Sequence, residues 1–216
     1  MKLILEFDDL HPNKEVDCLP VIEKLIKLIP DIKLNFFVPI NYKNMPAHAN
    51  QQWCDLLRKH VLNGNVILAI HGLNHSTEEF KNKSYPESIS ALAEANAYFD
   101  CADLAFEKAF RGPHWGIGAE SVKALIGLGY THLYSHVSYN NITDQFKDEI
   151  KVVNYNWNLK DDYGVFENTP GDIIVAHGHT SPHHHLSCGN SIYDVYPKIV
   201  EVYNKFQPEF LKVTDI

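Results

Sequence analysis

Three resources are scarce in this sequence, and each scarcity excludes a class of protein. Cysteine occurs four times, at positions 18, 54, 101 and 188, widely spaced and with no C-x-x-C pair. An even count permits disulfides, but nothing here has the spacing of a redox motif or a zinc knuckle, so reduced, incidental thiols are expected. Cationic residues are outnumbered, 19 Lys and Arg against 27 Asp and Glu for a formal charge of −8, and no basic patch is present. That balance excludes a general nucleic-acid binder, whose phosphate contacts require clustered Lys and Arg. No apolar run approaches the roughly 20 residues of a membrane-spanning helix. The opening Met1-Lys2-Leu3-Ile4-Leu5-Glu6-Phe7-Asp8-Asp9 turns acidic too quickly for a signal peptide, so a cytoplasmic protein without a transmembrane segment is expected. There is no internal repeat and no linker rich in Gly, Ser or Pro, which leaves residues 1–216 as a single domain.

What is present is an ordinary globular composition, 45% hydrophobic and 21% charged, arranged as strands alternating with helices. Leu3-Ile4-Leu5 begins a short apolar strand running into Asp8-Asp9. A helical stripe follows over Cys18–Ile29, stopped by Pro30. Lys33–Val38 is the second strand, Gln51–Leu62 a helix ended by Asn63-Gly64-Asn65, and Val66–Ile70 a third strand with His71 at its C-terminal end. A long helix is predicted over Pro86–Phe106, then a short strand at Phe110-Arg111 and a helix over Ala119–Leu128 capped by Gly129. Further strands are predicted at Thr131–Tyr134, Lys151–Tyr155 and Ile173–Ala176, and a last helix at Tyr193–Phe206 precedes Phe210–Val213. Continuous apolar strands alternating with amphipathic helices imply a parallel sheet covered by helices. About seven such units imply an α/β fold of the β/α-barrel type, distorted or incomplete. The biased segment Thr180–Asn190, with His183-His184-His185, is expected to form a loop over the strand ends.

Four segments that end apolar runs carry residues able to bind metal or move protons: Asp8-Asp9, His71 to His75, Arg111 to Trp115, and His177. In parallel barrels reactive groups gather on the loops leaving the C-terminal strand ends, so side chains remote in sequence can meet there. The four-residue spacing of His71 and His75 puts two imidazoles on one side of a helical turn or compact loop. With one carboxylate they make a three-ligand site for a borderline divalent metal, leaving a position for water. An Asp pair also serves as a helix cap or turn filler; beside a metal, one carboxylate ligates while the other acts as general base. Arg111 is either a surface charge or a bidentate clamp on a carboxylate. Trp115 and His114 are packing residues or walls of a substrate site, and His177 is a satisfied buried histidine or a general acid.

These residues resemble the polysaccharide deacetylase family, also called the NodB homology domain. The first family motif, T-F-D-D-G, is met by Glu6-Phe7-Asp8-Asp9-Leu10; the second, H-[ST]-x-x-H, by His71 to His75; the third, R-x-P-[YF], by Arg111-Gly112-Pro113-His114. The last, an apolar strand leading to a histidine, is met by Ile173 to His177, and Asn35-Phe36-Phe37-Val38 is similar to the family's second strand. The resemblance covers almost the whole chain in the correct order. It implies a distorted β/α barrel and a hydrolase acting on a carbon–nitrogen amide bond other than a peptide bond, deacetylating an N-acetylated amino sugar or related small compound. It further implies Asp8 as base, Asp9, His71 and His75 as ligands of one divalent metal, Arg111 as the residue orienting Asp8, and His177 as the acid. Zinc is the expected ion, with cobalt, manganese, nickel or iron as alternatives. Trp115, His114, Trp157 and His179 are expected to contact a carbohydrate or other small substrate.

Four departures stand out: Leu10 for Gly, Gly72 for Ser or Thr, His114 for Tyr or Phe, and Asn156-Trp157 where the fourth motif has Asp before Trp. Asp161 and Asp162 follow closely and offer a substitute carboxylate. Two rival readings follow. One is an idle carbohydrate-binding barrel that keeps its metal. The other is a metal-dependent barrel hydrolase for a cyclic amide or an ester.

Overall fold

A computed structural model describes residues 1–162, 164, 173–181 and 189–216. The strands are β1 (Lys2–Asp8), β2 (Leu34–Val38), β3 (Val66–Ile70), β4 (Ala109–Arg111), β5 (His132–Ser135), β6 (Lys151–Asn154), β7 (Trp157–Asn158), β8 (Ile173–His179) and β9 (Glu209–Phe210). The helices are α1 (Leu19–Leu28), α2 (Gln51–Leu62), α3 (Tyr85–Cys101), α4 (Ala119–Gly127), α5 (Asn140–Thr143) and α6 (Ile192–Phe206). One sheet runs β6-β5-β4-β3-β2-β1-β8-β7, with β9 added beside β1, and every named pairing is parallel.

The connectivity forces this sheet to curl. Laid flat, eight strands spaced by about 4.8 Å would place the two edges roughly 34 Å apart. Asn154, the last residue of one edge strand, is followed three residues later by Trp157, the first of the other, a reach of about 11 Å. The result is the incomplete, distorted barrel expected from the sequence, with two very short strands, β7 and β9, beyond the seven that the apolar pattern revealed.

Strand alternation divides the core in two. Ile4, Phe37, Ile67, Ala69, Tyr134, Val153 and Val175 fill the barrel interior with Leu211 and Val213 of the C-terminal segment. Leu3, Leu5, Phe7, Phe36, Leu68, Phe110 and Ala176 face the helices. Asn35 ties the two ends of the chain together: its amide donates to the carbonyls of Leu5 and Leu211 and accepts the N–H of Val213. The C-terminal segment thus closes one end of the barrel, and the interior-facing positions at the other end are where the polar residues lie.

Helix α3 stops earlier than predicted, at Cys101 rather than Phe106. Asp103 adopts a left-handed φ of 51°, and the N–H of Leu104 turns back to the carbonyl of Phe99. This is the geometry of a glycine-type helix stop made without glycine, so no sequence signal marked it. At its start, Ser84 and Glu87 form a reciprocal capping box. Cys18 and Cys54 are buried free thiols and Cys101 is an exposed one, while Cys188 and His183-His184-His185 lie outside the described residues. No helix among those described is long and apolar enough to cross a membrane.

Candidate metal centre and active site

The interior face of β1 carries Ile4, Glu6 and Asp8 in succession, so two carboxylates share the barrel mouth. Asp9 leaves the strand with φ 78° and anchors its N–H on the carbonyl of Phe37. Across the sheet, His71 follows β3 and bonds its N–H to Val38. The chain then folds into a compact loop rather than a helical turn, with φ +66° at Gly72 and 60° at His75. Only glycine fits at position 72: a Cβ there would lie 2.5 Å from both Glu79 Oε2 and Pro113 Cγ. The Glu79 carboxylate accepts the backbone N–H groups of Leu73, Asn74 and His75 at 3.1–3.2 Å. It stands where a Ser or Thr side chain at position 72 would project, which gives the departure at Gly72 a physical reason. Burial raises the Glu79 carboxyl above its ordinary range despite those donors.

His71, His75 and Asp9 converge. Asp9 Oδ1 lies 3.5 Å from His71 Nε2 and 2.9 Å from His75 Nε2, and the three ligand atoms fall within 4.8 Å of one another. The opposite ring nitrogen of His71, Nδ1, is 3.0 Å from the backbone carbonyl of Arg111. Since a carbonyl only accepts, Nδ1 carries the proton and Nε2 presents its lone pair to the cluster. Asp9 Oδ1 is buried yet makes no well-directed hydrogen bond, a costly state for a carboxylate unless a cation completes it. Two imidazoles and one carboxylate are a donor set suited to zinc or a similar ion.

Electrostatics favour one such ion. Glu6, Asp8, Asp9 and Arg111 are all nearly fully buried. With one cation among four charges their net charge is −2, which a single divalent ion neutralises. Asp8, His177 and His179 form a second group of donors within 4.8 Å, but a second ion there would sit beside the Arg111 guanidinium and leave the mouth net positive.

Arg111, at the end of β4, joins the two inward carboxylates. Its Nη1 donates to Asp8 Oδ1 at 2.6 Å and its Nη2 donates to Glu6 Oε1. Its guanidinium lies between aromatic faces, with Cζ 4.2 Å from the Phe37 ring centre and 4.4 Å from that of Trp115. Asp8 Oδ2 remains 3.8 Å from His71 Nε2, so this oxygen faces the metal cluster while its partner is held. Burial pushes the Asp8 carboxyl up, but Arg111, His71 and His177 together outweigh it and bring it down to about 2. Asp9 is likewise held well below its ordinary value, burial being overcome by His179 and His75. Burial lowers His71 to about 4, whereas the Asp9 carboxylate raises His75 against its burial. His177 is lowered by burial, with Glu6 and Asp8 pulling the other way.

The other sequence candidates divide. Trp115 stands edge-on to His177 at 5.0 Å between ring centres, and the His114 ring faces His75 at the same distance. His179 Nδ1 is 3.5 Å from Asp9 Oδ2, so it lies against the metal-side carboxylate. Trp157, expected to contact substrate, does not reach the mouth: it pairs with Ala176 on the helix-facing side of the sheet and is 1% exposed. A one-residue shift along a strand reverses the face, and the inward position belongs to Asn158, paired with His177. None of the substitutes for the fourth-motif carboxylate reaches His177 either. Asn156 uses its amide to bond the backbone of β8, and Asp161 and Asp162 are exposed. His11 packs between Tyr42 and Trp53.

Besides Glu79, which had no signal beyond its charge, two residues near the site were not singled out from the sequence. Glu6 was legible as a charged residue inside an apolar strand, two positions before Asp8 and therefore on its face. Tyr155, stacked on His177 at 5.0 Å, had no signal of its own.

No family model and no curated protein sequence matches the chain. Solved structures do. A family 4 acetyl xylan esterase from Clostridium thermocellum, in complex with a cobalt ion, superposes with a TM-score of 0.62 at 18% identity, over 100% of this chain and 89% of the other. The peptidoglycan deacetylase PdaC from Bacillus subtilis gives 0.58 at 14% identity, over 98% and 86%. A family 4 carbohydrate esterase pseudoenzyme from Bacillus anthracis gives 0.54 at 15% identity, over 98% and 64%. At these identities the likeness is one of fold, and that fold is the one the sequence resemblance implied.

Proposed function

Proceeding from that shared fold, we propose that this protein is a metal-dependent hydrolase that removes acetyl groups from an N-acetylated amino sugar or a related carbohydrate. The observation that carries the reading is the meeting of Asp9, His71 and His75 around one buried, unsatisfied oxygen, with Asp8 clamped by Arg111 beside them.

In this reading Asp9 and the two Nε2 atoms hold a divalent ion, which when bound polarises the acyl carbonyl and acidifies water. Asp8 takes a proton from the attacking water through Oδ2, the oxygen not engaged by Arg111. Water oxygen adds to the carbonyl carbon, the C–N bond breaks, and His177 delivers a proton to the departing nitrogen, leaving a carboxylate and an amine. Arg111 keeps Asp8 ionised and aimed. Trp115, His114 and His179 flank the reacting group and shield it from bulk water. An O-acetyl ester is the second substrate class to consider, because of the fold likeness to an acetyl xylan esterase.

Acetate release is the test. Protein reconstituted with zinc or cobalt and incubated with N-acetylglucosamine oligosaccharides should release acetate and primary amine in equal amounts, and chelation should stop it. Metal uptake with binding of sugars but no acetate from either amide or ester substrates would replace this reading with that of an idle binding barrel.

A further inference from the structure

The buried carboxylate of Glu6 takes no part in the chemistry above, yet it is 0% exposed at the centre of the site. Its Oε1 accepts from Arg111 Nη2 and lies 3.3 Å from His177 Nδ1. Among the described residues it is the only carboxylate within ion-pair distance of that histidine. We infer that Glu6 is the positioning residue of His177, holding a proton on Nδ1 so that proton exchange with substrate takes place at Nε2, on the opposite edge of the ring. The inference rests on the hydrolase reading for what His177 does, but the tautomer it assigns is a property of the fold alone.

A competing arrangement is present at the same histidine. Arg111 Nη1 lies 3.2 Å from His177 Nδ1, and if it donated there the imidazole proton would move to Nε2. Hydrogen-bond supply decides between the two. Arg111 Nη1 carries two N–H groups and gives one to Asp8 Oδ1 at 2.6 Å, so a contact to His177 would use the second, in a bond to a neutral imidazole weaker than one that a carboxylate accepts. Glu6, by contrast, is short of donors: Oε1 has the guanidinium, and Oε2 is buried with no hydrogen bond. A buried carboxylate lacking donors is expensive, and among the described residues the further side-chain N–H within reach of Oε1 is that of His177. Placing the carboxylate on β1 also accounts for the exposed positions of Asp161 and Asp162 and the purely structural use of Asn156: the place behind His177 is already filled.

A residue that acts through the proton donor should matter most when the leaving group is poor. Glu6→Gln, which keeps shape and removes charge, should lower kcat on N-acetylglucosamine oligosaccharides by about 10²-fold. The loss on 4-nitrophenyl acetate, whose leaving group departs without protonation, should be at least about ten times smaller, with zinc content unchanged. Equal losses on both substrates would overturn the inference. Long-range ¹H–¹⁵N spectra of the zinc-loaded wild type at about pH 8, where imidazole is neutral, should show His177 protonated on Nδ1, and Glu6→Gln should shift it toward Nε2. A wild-type spectrum with the proton on Nε2 would overturn the inference even if the variant did not fold. Should the wild type turn over neither substrate, the hydrolase reading fails and the spectrum still decides the role of Glu6.

Discussion

His71 donates from Nδ1 to the backbone carbonyl of Arg111 at 3.0 Å, while the guanidinium of the same arginine holds Asp8 at 2.6 Å. One residue therefore orients a metal-facing imidazole with its main chain and the proposed base with its side chain. Strands β3 and β4 are neighbours paired through Ile70 and Phe110, so both contacts follow from that single register.

The first prediction concerns metal. Wild-type protein should retain about one equivalent of zinc after dialysis, and His71→Ala or His75→Ala should bring retention close to zero, since either change leaves two protein donors. Asp8→Asn should keep the ion and lose acetate release by at least ~10³-fold, because an amide cannot accept the proton. Elemental analysis beside an acetate assay checks both; an alanine variant that keeps full zinc would refute the ligand assignment.

Arg111→Met addresses the buried charges. It strands Glu6, Asp8 and Asp9 without the one buried Lys or Arg among the described residues, a loss of about 3–5 kcal/mol for an uncompensated buried pair. Chemical denaturation should show that fall, and part of it should be recovered at low pH, where the carboxylates are neutralised. Arg111→Lys should be more stable than Arg111→Met yet still poor in turnover, because one ammonium cannot bridge both carboxylates.

Gly72→Ser tests the ligand loop. The new side chain meets Glu79 and Pro113 at a left-handed φ, so it should cost roughly 1–3 kcal/mol and weaken zinc binding, read by thermal melting and competition with a chelator. Restoring the residue type usual for the resembled family would thus impair this chain. A variant with unchanged melting and affinity would refute the steric role assigned to Glu79 and Pro113.

The acid stability of the metal-free protein follows from His71. Its pKa is pushed down to about 4 in the fold against 6.5, so between these values the unfolded chain binds the proton and the folded one does not. Stability should therefore fall as pH drops from 6.5 towards 4, by on the order of 3 kcal/mol from this group. His75 is raised and contributes in the opposite sense, losing stability as pH rises through its folded value. The clean measurement is the difference between wild type and His71→Gln in urea midpoint across that window: the variant's slope should be shallower. Parallel slopes would mean that His71 is not buried neutral.

The apolar runs Leu3–Phe7, Leu34–Val38 and Val66–Ile70 were legible as strands because burial on both faces leaves no alternation to confuse with a helix. The long helix was overextended because Asp103 turns the chain without the glycine that usually announces such a stop. Strand β7 was missed because two residues are too few to carry a period. The misplacement of Trp157 has the same origin: without a visible strand there was no register, and without register no way to tell which side chain faces the mouth.

From the amino-acid order alone came the kind of fold and the set of side chains able to bind an ion, since apolar periodicity and the chemistry of Asp, His and Arg are local properties. Which of those side chains meet, and at which atoms, belonged to the curled sheet. Strand β8 pairs with β1 and sets His177 beside Glu6; curling brings β4 across the mouth, and Glu6, an apparent blemish in an apolar strand, then has both Arg111 and His177 within reach.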